Sequence, residues 1–69
     1  MRANPAEAVR LFQLAADKGS VAAMRNLGIM YEAGQGVAAD RKKAVDYYRK
    51  AAAAGDEASR GDLQRLGAR

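Results

Sequence analysis

The chain has 69 residues, of which 12 are Lys or Arg and 8 are Asp or Glu, so its formal net charge is +4. It contains no Cys, His or Trp. These absences exclude disulfide bridges, thiolate nucleophiles, Cys/His zinc sites and catalytic triads that need an imidazole. No apolar run is long enough for a membrane span or a signal peptide, so we expect one small domain without either.

The apolar content of the chain comes mostly from small side chains. Seventeen residues are alanine, whereas Leu, Ile, Val and Phe together number only 11. That composition alone leans towards disorder. The apolar residues nevertheless recur at helical spacing, which predicts helices that pack closely through small side chains.

The first predicted helix begins after Asn4, with Pro5 at its first position and Glu7 in its first turn. Asn is a favoured N-cap, and Pro is favoured at the position that follows it. Gly19 is expected to end this helix. The predicted inner face carries Ala8, Phe12, Ala15 and Ala16.

Three further helices are predicted, each preceded by a capping side chain: Ser20, Asp40 and Asp56. The second helix ends at Gly34-Gln35-Gly36, where two glycines with positive φ would reverse the chain. The third ends at Gly55 and the fourth near Gly67. Their predicted inner faces carry Ala23, Leu27 and Tyr31, then Ala44, Tyr48, Ala51 and Ala52, and finally Ser59, Leu63 and Leu66.

The chain is similar to itself at an offset of 36 residues. The block Ala15-Ala16-Asp17-Lys18-Gly19 aligns with Ala51-Ala52-Ala53-Ala54-Gly55, and the cap Asn4 aligns with Asp40. Alanine richness favours chance matches, but a shared glycine and a shared cap position are harder to obtain by composition. We therefore interpret the pattern as an internal repeat and not as low complexity.

Two motifs carry a resemblance to a known family. Leu27-Gly28-x-x-Tyr31 resembles the first helix of a tetratricopeptide-type repeat, and Ala44-x-x-x-Tyr48 resembles its second helix. The longer period and the glycine-rich turn at Gly34–Gly36 make the chain similar to the SEL-one-like repeat (SLR) family. The resemblance implies an all-α fold, an α/α solenoid fragment of antiparallel helix pairs with a right-handed superhelical twist.

The resemblance also divides the chain into three segments. Residues 4–19 would be the second helix of a preceding repeat, residues 20–55 one complete unit, and residues 56–69 the first helix of a following or capping repeat. Gln64 and Gly67 depart from the repeat pattern, which suits a terminal helix. The residues expected to maintain the architecture are Leu27, Gly28, Tyr31, Gly34, Gly36, Ala44, Tyr48, Ala51, Ala52 and Gly55. Gly28 would let Tyr48 or Phe12 of a neighbouring helix approach.

What the resemblance implies about function is a non-catalytic scaffold or adaptor that binds a protein or peptide. No enzyme activity, cofactor or metal is expected, and bacterial cytoplasm and periplasm both stay open. Residues 21–33 and 57–66 would line the concave side. We expect exposed partner contacts there at Arg25, Ile29 and Glu32. Tyr47 would be either an exposed anchor or a residue that packs on the next repeat.

Three alternatives start from other features. The basic cluster of Arg41, Lys42, Lys43, Arg49 and Lys50 suggests a small nucleic-acid-binding helical domain, although an ordinary solvated helix face is favoured. Gly34-x-Gly36 fits a dinucleotide fingerprint only formally, since a helix and not a strand precedes it. Because the chain spans less than two repeats, a self-assembling structural repeat is the third alternative, with copies that stack or swap helices.

Overall fold

The computed structural model describes residues 4–68, and these form four helices with no strand. The helices are α1 (Pro5–Asp17), α2 (Val21–Ala33), α3 (Arg41–Ala53) and α4 (Glu57–Arg65). This confirms the predicted all-α class and the four helices in chain order. Arg69, which ends the third predicted segment, lies outside the described residues.

All four predicted N-caps are confirmed. The side chains of Asn4, Ser20, Asp40 and Asp56 each accept a hydrogen bond from a backbone N–H in the first turn of the helix that follows. Every cap residue has extended backbone torsions. The cap oxygens thereby satisfy donors that have no partner inside the helix.

The chain turns in the same way after α1 and after α3. The backbone N–H of Ser20 donates to the carbonyl of Ala15 at 2.9 Å, and that of Asp56 donates to Ala51 at 3.0 Å. The two donors, Ser20 and Asp56, are 36 residues apart in the chain, and so are the two acceptors. The repeat seen in the sequence is therefore also a repeat of backbone hydrogen bonds.

The helices pack in chain order. α2 packs against α1 and α3, and α3 packs against α4. The resulting row measures 36 × 23 × 17 Å. Such stacking of each element on its neighbours along the chain is typical of helical repeat proteins.

The best-buried part of the core lies between α2 and α3. Leu27 of α2 and the three inner residues Ala44, Tyr48 and Ala51 of α3 have no exposed surface. A Cβ atom built on Gly28 would lie 2.6 Å from Cε1 of Tyr48. Gly28 thus lies against the Tyr48 ring, as its predicted role in close helix approach requires.

The inner faces of the two outer helices differ from expectation. The buried residue of α1 is Val9, whereas the predicted Ala8, Phe12, Ala15 and Ala16 are only partly buried. Within residues 4–68, α1 packs mainly on α2, so only part of the predicted inner face is covered. In α4 the only buried residue is Ser59, which occupies the repeat position of Ala23 and bonds the cap Asp56.

The turn between α2 and α3 rests on the start of α1. Gly34 and Gly36 have φ values of 71° and 73°, which confirms the predicted positive φ. A Cβ atom on Gly36 would contact the carbonyl group of Pro5. The loop that links α2 to α3 therefore also lies against the backbone at the start of α1.

Among the described residues, no helix has the length and apolar character needed to cross a membrane.

Candidate functional site

A network of ion pairs joins α2 to α4. The Nε of Arg25 donates to Oδ2 of Asp62 at 3.0 Å. Arg65 binds Glu32 through two parallel hydrogen bonds, Nη1 to Oε2 at 2.6 Å and Nη2 to Oε1 at 2.8 Å. This two-pronged geometry between a guanidinium and a carboxylate favours one orientation of both side chains. We call Arg25, Glu32, Asp62 and Arg65 the ion-pair network.

The network reaches the core through Tyr48. The Tyr48 hydroxyl donates to Oε1 of Glu32 at 2.8 Å. The hydrogen bonds from Arg65 lower the pKa of Glu32 to about 2, helped by the bond from Tyr48. Burial raises the pKa of Tyr48, and the nearby Glu32 carboxylate raises it further. Glu32 is therefore held ionised and Tyr48 is held neutral, which suits a structural anchor.

Three predicted contact residues are less accessible than expected. Arg25, Ile29 and Glu32 are partly buried, so the expectation that they are exposed is wrong. Arg25 and Glu32 are covered because they pair with side chains of α4, and Ile29 is covered because it packs against the core. Their participation in partner binding stays a prediction.

We expect the stability contribution of Glu32 to depend on pH. Its pKa falls from 4.5 to about 2 on folding, so the contribution is complete above pH 4.5 and is lost as the pH falls towards 2. Glu32→Gln should therefore destabilise the protein at neutral pH and have a smaller effect in acid. Urea denaturation of both proteins at several pH values measures this difference. Glu57→Gln, at an exposed carboxylate of α4, is the control. A difference that stays constant down to pH 2 would contradict the assignment.

A second feature, which we call the tyrosine groove, lies where α1, α2 and α3 meet. The rings of Tyr31 and Tyr47 stack with centroids 5.7 Å apart and an interplanar angle of 13°. They form part of an open groove of about 220 Å³. Its lining residues are Gln13, Tyr31, Lys43, Asp46, Tyr47 and Lys50.

Two lysines of α3 are placed over the tyrosine rings. The Nζ of Lys43 lies 5.3 Å from the ring centre of Tyr31, and that of Lys50 lies 5.5 Å from the ring centre of Tyr47. Both distances fall within cation–π range. Within residues 4–68, neither ammonium group forms an ion pair with a carboxylate. Together with Asp46, which lies between them on α3, they give the groove lining a net charge of +1.

The remaining members of the basic cluster have separate roles or positions. Arg41 donates to the carbonyl of Leu66 at the end of α4, and Lys42 is exposed. Arg41 thereby places a positive charge at the C-terminal end of α4, where the helix dipole favours it. The five basic residues do not form a single stripe.

Tyr47 follows neither alternative completely. It is partly buried, and its ring stacks on Tyr31 of the preceding helix. Neither Gln13 nor the groove was predicted from the sequence. Lys43, Asp46, Tyr47 and Lys50 follow the helical spacing i, i+3, i+4, i+7, so they form a second stripe on α3 that helical periodicity reveals.

No group of three or more potential metal-ligating side chains occurs within the part of the chain that the structure describes. The turn at Gly34–Gly36 follows a helix, so it lacks the strand that a dinucleotide-binding turn requires.

A family model described as the Sel1 repeat matches residues 1–20 and again residues 21–56. The chain belongs to the Sel1 repeat family. Members of this family are generally protein-interaction modules and typically non-catalytic scaffolds. No curated protein and no solved structure matches the chain. The Sel1 repeat assignment supports the resemblance of the LGxxY and AxxxY motifs and leaves the partner open.

Proposed function

We propose that this chain is a non-catalytic protein-binding module whose tyrosine groove holds an acidic peptide segment. The observation that carries the proposal is the stacked Tyr31–Tyr47 pair with one ammonium group over each ring. Residues 20–55 supply Tyr31 and all of α3, and we propose that they form the complete repeat unit, flanked by single helices at 4–19 and 56–69.

The groove combines the features that peptide recognition needs. Tyr31 is buried, and the partly exposed ring of Tyr47 offers apolar contact at a low cost in side-chain entropy. Lys43 and Lys50 lie seven residues apart on α3, so their charges follow one side of the groove. An extended peptide with acidic side chains would pair with both lysines. Gln13 lies on α1, across the groove from α3, and its side-chain amide can donate and accept hydrogen bonds with the peptide backbone.

The ion-pair network is better explained as structure than as a binding or catalytic site. The donors of Arg25 and Arg65 are already directed at Asp62 and Glu32, and a partner would have to displace those bonds. Glu32 is ionised well below neutral pH, so it is unsuited to proton transfer near pH 7. This supports a module without catalytic residues of its own.

A matched pair of charge reversals tests the proposal. The probe is a fluorescein-labelled peptide of alternating glutamate and valine, and its control has glutamine in place of glutamate. We expect Lys50→Glu to weaken binding by about tenfold, because the rim charge becomes repulsive. Lys42→Glu makes the same charge change on the same helix but outside the groove, and should have little effect. Fluorescence anisotropy at constant ionic strength measures both.

Three results would overturn the groove as the binding surface. One is equal loss of binding with Lys42→Glu and Lys50→Glu, which would indicate non-specific attraction to net charge. Another is a loss with Arg25→Gln but not with Lys50→Glu, which would place the partner on α2 and α4. The third is equal binding of the glutamine peptide, because the proposed partner is acidic.

A further inference from the structure

The outer face of α1 carries two exposed leucines. Leu11 and Leu14 are 63% and 56% exposed, the largest exposed apolar side chains of the described region. At 100° per residue, both point roughly opposite to Val9, the buried residue of α1. The face is therefore turned away from α2 and has no neighbour among residues 4–68.

Charged residues surround these leucines in an ordered way. Glu7, Leu11, Leu14 and Lys18 lie within a narrow stripe, since they are spaced at i, i+4, i+7 and i+11. Arg10 and Asp17 lie together along one side of this stripe. All four charged residues are exposed. We call the set the α1 stripe.

The α1 stripe is complementary to itself when two copies run antiparallel. If the two-fold axis passes midway between positions 12 and 13, Leu11 faces Leu14 of the second copy. Glu7 then lies at the same height as Lys18 of the second copy. Arg10 lies about 3 Å along the axis from Asp17 of the second copy, within reach of its long side chain. Each pairing occurs twice, as a two-fold interface requires.

We propose that the α1 stripe is a self-association surface, through which two copies of this chain pair their α1 helices antiparallel. The occupant follows from the charges: opposite signs meet at both ends of the leucine contact. A parallel pair would place Glu7 against Glu7 and Lys18 against Lys18. The proposal does not depend on the tyrosine groove, which lies on another side of α1.

The pairing is expected to be weak. A helix of 13 residues is about 20 Å long, and one such pair forms a smaller contact than the roughly 1,200–2,000 Å² of standard stable interfaces. We therefore expect a monomer–dimer equilibrium with a Kd of about 1 mM. Added salt should weaken it further by screening the charged ends.

Sedimentation equilibrium of the full 69-residue chain at low salt, up to about 2 mM, tests the proposal. The average mass of the unchanged chain should rise with concentration. Glu7→Lys and Lys18→Glu should each weaken association by about tenfold, since both end pairs become repulsive. An equimolar mixture of the two variants should associate as strongly as the unchanged protein, because opposite charges meet again.

Any change in helix stability that a substitution causes persists in the mixture. Recovery of association in the mixture therefore reports the charge pairing alone. Lys42→Glu on α3 changes net charge as Lys18→Glu does and should leave association unchanged. Far-UV circular dichroism checks that each variant is helical. A mass that stays monomeric at every concentration would overturn the proposal, with the stripe left to solvent or to a different protein. A mixture no better associated than its components would overturn the antiparallel register.

Discussion

Replacing Gly28 with alanine is expected to lower the free energy of unfolding by about 1–3 kcal/mol, the usual cost of overpacking a filled core. Helix propensity alone would stabilise the alanine variant by up to about 1 kcal/mol, so a net destabilisation indicates that the clash with Tyr48 is the larger effect. The added Cβ would lie 2.6 Å from Cε1 and 2.7 Å from Cδ1 of Tyr48. That ring is fully buried and its hydroxyl is bonded to Glu32, so a shift of the ring would disturb both its packing and this bond. Urea denaturation followed by circular dichroism measures the change.

Gly61→Ala is the matched control. Gly61 also lies inside a helix, α4, but a Cβ atom there would meet nothing within 4 Å. The substitution should raise the free energy of unfolding by up to about 1 kcal/mol through helix propensity alone. If both alanine variants are stabilised, Gly28 is not needed for the approach of α3 to α2.

The second large effect is expected at Gly36. Gly36→Ala should cost about 2–5 kcal/mol, the sum of a left-handed backbone conformation and a steric clash. The residue has a φ of 73°, and its Cβ would strike the backbone of Pro5 and Ala6 at the start of α1. Relief of the clash requires either the loop or α1 to move. Thermal and urea denaturation both report the loss.

Gly55→Ala separates the two contributions. Gly55 has a φ of 100°, but nothing lies within 4 Å of its added Cβ. Only the conformational cost of about 1–2 kcal/mol should appear there. Equal losses at positions 36 and 55 would show that contact between the loop and α1 contributes nothing to stability.

The features that the sequence predicted well are those set by neighbouring residues. Each N-cap bonds a backbone N–H only two or three residues away, so Asn4, Ser20, Asp40 and Asp56 could be recognised without the fold. Positive φ at Gly34 and Gly36 is a similarly local property. The 36-residue offset then predicted that each helix packs on its neighbour along the chain, because repeats stack on their neighbours.

The ion-pair network could not be predicted in this way. Arg25 and Asp62 are 37 residues apart, and Glu32 and Arg65 are 33 apart. Helical spacing placed Arg25 and Glu32 beside the core stripe of α2, but it does not say how closely α4 crosses that side. The predicted exposure failed for this reason. The environment of Tyr47 could not be predicted for the same reason, since its stacking depends on the position of Tyr31 in another helix.

The order in which the helices pack also bears on how this chain acquires its structure. Apart from the ion-pair network between α2 and α4, the main packing contacts join helices adjacent along the chain, and the most extensive joins α2 to α3. Contacts between nearby segments cost little loop-closure entropy, and proteins dominated by them fold quickly. Folding that nucleates in the α2–α3 hairpin can therefore spread to α1 and α4 independently, so the two ends need not wait for each other.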